Sequence, residues 1–111
     1  MSPYPDALAW IRTHPGTSSA ISLAKLILSL WNPDCGFSFR ECIGNLDEER
    51  TALALRMVTH FAAVGEDADL VAVGEVVCRD WPHLWDIAQA GDRAKRALRA
   101  RSEKAATAAR S

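Results

Sequence analysis

Few residues in this 111-residue chain have the types and spacing that do chemistry. Asp80, His83 and Asp86 stand three apart, a spacing at which a carboxylate can bias an imidazole toward general-base work. No oxyanion donor is evident near them, so the plainer assignment is preferred: Asp80 at a helix N-cap or first turn, with His83 and Asp86 in solvent. Cys35, Cys42 and Cys78 are odd in number and seven and 36 residues apart. They therefore form neither a paired disulfide framework nor a C-x-x-C half-site. With His60 or His83 they would offer zinc ligands, but structural zinc sites draw their ligands in close pairs from a turn. Free, mostly buried thiols are expected, with no metal and no cofactor. The phosphate cradles G-x-x-x-x-G-K-[ST] and G-x-G-x-x-G, the helix H-E-x-x-H and the elbow G-x-S-x-G are all absent. The expectation is a protein without catalytic residues, not an enzyme.

Two constellations point to binding instead. Trp81 and Trp85 are four apart and share a helix face if the first turn after Trp81-Pro82 is regular, where a Trp pair either anchors a protein partner or closes one end of the core. The second is a charge asymmetry hidden by the net charge of −1. Residues 1–91 carry six basic side chains against twelve acidic ones, a net −6, whereas the last twenty carry seven against two, a net +5. Arg93, Lys95, Arg96, Arg99, Arg101, Lys104 and Arg110 thus make a basic tail on an acidic body. Such a tail can release counterions from a phosphate backbone, giving weak nucleic-acid binding indifferent to sequence. It has no interleaved aromatics for stacking, so the alternative is a solvated helix or a partner for the body's own acids.

The elements that must position these residues read as helices. Asp6 is the expected cap of a first helix ending at His14-Pro15-Gly16. Thr17 or Ser18 caps a second that runs to about Trp31, apolar on most of its surface and hence central. Asn32-Pro33-Asp34 stops it. Ser38-Phe39-Arg40-Glu41 has the form of a capping box for a short helix that ends at Gly44. Asp47 opens a helix with the stripe Leu53, Met57, Phe61 and Val64, ended by Gly65. Asp67 or Asp69 opens the next, in which Leu70, Val73, Val77 and Trp81 keep a helical period, although its β-branched residues and Gly74 leave a strand or hairpin open. Pro82 starts a last apolar helix through Leu84, Trp85, Ile87 and Ala88, which Gly91-Asp92 either ends or continues. The second and fourth helices are expected to form the core pair, with Leu23, Leu26, Ile27, Leu30, Leu53, Met57, Phe61, Val73 and Val77 in the core.

The fold expected is therefore all-α: a compact bundle of five or six short helices over residues 1–91, followed at 92–111 by a basic C-terminal tail of helix-forming composition. At 49% apolar and 24% charged, the chain can enclose a core without staples. The longest apolar stretch, Ala20 to Trp31, is too short to span a bilayer, and no basic segment followed by an apolar one opens the chain. A cytoplasmic protein is expected, a monomer or weak dimer. The 19 Ala and the excess of Arg over Lys suit a GC-rich bacterial source.

The run Leu26-Ile-Leu-Ser-Leu-Trp-Asn32, then Cys35-Gly-Phe37, a capped short helix, an Asp-initiated helix and a final Asp80-Trp81 resembles a set of small uncharacterised helical proteins encoded on bacterial plasmids and integrative elements. The resemblance covers roughly residues 20–85. It implies an accessory protein of a mobile element, acting on a host or element protein, and it carries over no catalytic or ligand residue. The missing catalytic motifs and the four Trp add the expectation of a non-enzymatic protein-interaction protein, accessory or regulatory.

Overall fold

The computed structural model describes residues 2–110, excluding the side chain of residue 110. Arg110 of the expected basic tail thus has its side chain outside the described residues, and Ser111 lies wholly outside them. Six helices follow one another: α1 (Tyr4–Thr13), α2 (Ser18–Trp31), α3 (Phe39–Ile43), α4 (Glu48–Val64), α5 (Ala68–Asp80) and α6 (Pro82–Arg110). No strand occurs among the described residues, so the fold is an all-α bundle.

The helix starts follow the side chains that can accept orphan backbone N–H groups. Thr17 accepts from Ala20 at 3.2 Å, Asp47 from Arg50 at 2.7 Å and Asp67 from Leu70 at 2.8 Å. The capping box closes in both directions: Ser38 Oγ accepts from the Glu41 amide, and Glu41 Oε2 accepts from the Ser38 amide. Gly65 ends α4 with φ at +70°, a region that favours glycine.

One start differs from expectation. Asp6 does not cap α1; it sits in the first turn of a helix that begins at Tyr4. Tyr4, Ala7 and Ile11 recur at three and four and are fully buried, so extending the helix back by most of a turn brings the tyrosine onto the core face. Pro5 is tolerated there because first-turn amides have no intrahelical acceptor to lose.

α2 is the central helix. It buries Leu23, Ala24, Leu26, Ile27 and Leu28 and packs against α1, α3, α4 and α5. Its principal long-helix partner is α5, not α4 as the sequence suggests. The reason lies at Gly74, where a Cβ would come within 2.1 Å of the Trp31 ring. The missing side chain lets α5 approach α2 with the indole laid across its backbone. The β-branched α5 is a helix throughout. Of the expected core, Leu30 and Phe61 are only half-buried, packed on the rim, while Tyr4, Ile11, Leu28, Phe37, Cys42 and Leu70 are buried instead.

Gly91 is passed through, so the expected boundary between body and tail falls inside one 29-residue helix. The molecule is correspondingly long, 56 × 30 × 25 Å.

Candidate functional site

The inner half of α6 is fixed by the loop that follows α2. Gly36 N–H donates to the Ala88 carbonyl at 3.0 Å, and Gln89 donates to the Asp34 carbonyl at 3.2 Å. A Cβ on Gly36 would lie 2.5–2.7 Å from backbone atoms of Ala88, Gly91 and Asp92, so only glycine allows this approach. Two of the tail cations serve the same contact. Lys95 donates to the Gly36 carbonyl at 3.4 Å, and Arg96 bridges Asp34 at 2.7 Å and Asp92 at 2.8 Å.

Beyond Arg96 the helix stands in solvent. Every described side chain from Ala97 to Ala109 is exposed, including Leu98 at 58%. Ile87, 46% exposed, lies eleven residues or about three turns earlier, so it falls on the same line of the helix. Arg93, Arg99, Arg101 and Lys104 are exposed and make no hydrogen bond or ion pair among the described residues. Of the seven cations of the expected tail, the six with described side chains divide into two bound to the body and four facing water.

No family model, curated protein or solved structure matches this chain.

Trp81 and Trp85 do not share a helix face: Trp81 caps the C-terminus of α5, one residue before α6 begins, while Trp85 lies in the first turn of α6, and both are partly buried against the core. Trp85 meets Trp31 edge-on, with ring centroids 5.3 Å apart and planes at 64°, so Gly74, Trp31 and Trp85 form a stack that seats α6 on α5 and α2. Both indoles keep part of their surface in solvent.

The chemistry-bearing residues do not assemble. Asp80 ends α5 and pairs with Arg12 at 3.3 Å and Arg79 at 3.2 Å, which hold its carboxyl below the usual carboxylate range. His83 is exposed and has no hydrogen bond to Asp80 or Asp86. Cys35 and Cys42 come together, each within 3.5 Å of the Ser29 hydroxyl, and Cys78 stands apart from them on α5. Burial pushes the thiols of Cys42 and Cys78 up, away from the reactive thiolate. No metal-holding group of His, Cys, Asp or Glu occurs among the described residues. None of their helices is long and apolar enough to cross a membrane.

Sequence reasoning missed a groove between α1 and α4. Both helices pack on α2 but touch each other little, leaving an open trough of about 960 Å³ that continues into one of about 430 Å³ past Asp6, Ala52 and Arg56. Pro3, Pro5, Leu55 and Ala63 give it an apolar lining, and Asp6 and Asp69 stand on its walls. Arg50 lies 4.8 Å over Trp10 in the narrower part, and His60 on the wall of the wider part meets the buried Tyr4 edge-on at 5.6 Å. His60 Nε2 is 2.7 Å from Asp67 Oδ2, and the Leu70 amide, seconded by this bond, holds the Asp67 carboxyl below its ordinary value. The dyad couples the end of α4 to the start of α5, and no nucleophile lies within hydrogen-bonding distance of His60 among the described residues. A clue existed in the sequence: His60 and the N-cap Asp67 flank the short Gly65 turn, which forces them together.

Proposed function

We propose that this chain is a non-enzymatic interaction protein that docks a protein partner through α6, acting in the bacterial cytoplasm as an accessory or regulatory protein of a mobile element. One observation carries the docking reading: α6 continues for fourteen residues past Arg96 with Leu98 in water, in line with Ile87. A helix of this composition gains little from its own chain once it has left the body, since helices of that length are marginal without packing. An aliphatic ridge flanked by unpaired cations is instead the arrangement an amphipathic helix presents to a groove. The outer edges of Trp81 and Trp85 extend the surface at the root of α6. The resemblance carried by residues 20–85 supports the mobile-element setting.

Leu98→Asp tests the reading, because a residue this exposed can be changed without disturbing the fold. Affinity capture from a bacterial lysate should lose its protein partner with Leu98→Asp, whereas Trp85→Ala perturbs the seat of α6 as well as its surface. Retention of every partner by a folded Leu98→Asp chain contradicts the docking helix, and steady turnover of a substrate in an unbiased screen contradicts the non-enzymatic assignment.

The exposed, unpaired state of Arg93, Arg99, Arg101 and Lys104 supports a second reading, non-specific nucleic-acid binding through the same helix. With four free cations, log affinity should fall against log salt with a slope of about −3 to −4. Mobility shift at low salt, with the chain cut after Arg96 so that the loop contacts survive, tests it: a shift that persists in the truncated chain places the binding surface elsewhere.

A further inference from the structure

We propose that the occupant of the α1–α4 groove is the outer half of α6 from a second copy of this chain, the two copies exchanging their helices reciprocally. The proposal rests on reading α6 as a docking helix and names its partner.

Three features of the two surfaces match. The first is shape and length. Residues 97–110 extend about 21 Å at the helical rise, within the span of about 25 Å expected for the 17-residue α4 that forms one wall of the groove. The second is polarity. Leu98 and the alanines around it offer a narrow apolar ridge, and Pro3, Pro5, Leu55 and Ala63 offer an apolar trough, with Leu55 itself 54% exposed. Each surface leaves aliphatic area in water that the other can cover. The third is charge. Arg99 and Arg101 flank the ridge, while Asp6 and Asp69 stand on the groove walls with Arg56 between, and the body they belong to carries a net −6. Within one chain this complementarity goes unused, because α6 leaves the body on the α5 side and its outer half makes no ion pair to α1 or α4 among the described residues. A second copy satisfies it twice, since in a two-fold dimer the helix of each copy lies in the groove of the other and both contacts bury area together.

Charge reversal in two places separates this dimer from any other. Arg99→Glu with Arg101→Glu reverses the helix, and Asp6→Lys with Asp69→Lys reverses the groove. In each variant alone the helix and groove carry like charges. In an equimolar mixture, native helix meets native groove and reversed helix meets reversed groove.

Sedimentation equilibrium on the full chain at low ionic strength should give a dimer for the unaltered protein and a self-association weakened by about tenfold or more in Leu98→Asp and in each reversed variant. Association should return on mixing the two reversed variants. Circular dichroism on each variant checks that the helices persist. A monomer at high protein concentration, dimers that survive both reversals, or a mixture that associates no better than its components overturns the proposal. If the chain is monomeric but a different bacterial protein is captured and lost with Leu98→Asp, the docking helix stands and the second copy does not. If Leu98→Asp alters neither self-association nor capture, both readings fail.

Discussion

The two halves of α6 share a helix and almost nothing else. From Pro82 to Arg96 the helix is held by a stack of indoles, a glycine contact and four polar bonds to the loop after α2. From Ala97 to Ala109 every side chain is exposed. The difference shows that basic composition does not define one functional unit here. The cations nearest the body are structural, and the role of the remainder depends on what comes to meet them.

Changes at the seat should have the largest effects. Gly74→Ala is a substitution that helix propensity alone favours by about 1 kcal/mol. The added methyl would sit 2.1 Å from Trp31 Cγ, so overpacking outweighs the gain, and chemical denaturation should show a net loss of about 2 kcal/mol. A stabilised variant would mean that the α2–α5 contact is looser than described. Gly36→Ala should cost about 1–2 kcal/mol, because its neighbours are backbone atoms that cannot rotate away, and hydrogen exchange should accelerate at residues 88–96.

Acid distinguishes body from tail. Asp67 and Asp80 have carboxyl pKa values lowered in the folded chain, so the unfolded chain binds more protons once the pH falls below the ordinary carboxylate range. Their contribution is complete above about pH 5 and is lost as the pH drops through their folded values. Thermal melts should therefore soften below about pH 4, and Asp67→Asn should flatten that dependence. Both carboxylates lie in the body, away from the outer half of α6. Arg96→Ala should have the smallest effect, about 0.5 kcal/mol, because the guanidinium itself and its Asp34 partner stand in solvent, although Asp92 is half-buried.

Much of the body was legible because its signals are local. Thr17, Ser38, Asp47 and Asp67 cap the helices they precede, and Gly65 ends one, since capping depends on residues three or four apart. Long-range pairing was not legible. Gly74 reads as a weakness in a helix until Trp31 lies across it, and Gly36 reads as a turn residue until α6 is beside it. Leu30 carries the same apolar signal as Leu28 and yet lies half-buried, because α2 presents slightly more apolar surface than its neighbours cover. For the candidate surfaces, the charge of the tail was visible in the sequence. Its division at Arg96, and the groove between α1 and α4, depend on which helices α2 holds apart.

Hydrogen exchange at two protein concentrations tests the central claim most directly, that the outer half of α6 is a docking element completed by a second copy. At low concentration, amides from Ala97 to Ala109 should exchange close to the rate of an unprotected chain, while those from Leu84 to Arg96 stay protected. Raising the concentration should protect residues 97–109 together with the groove residues of α1 and α4. Equal exchange of residues 97–109 at both concentrations would contradict the account.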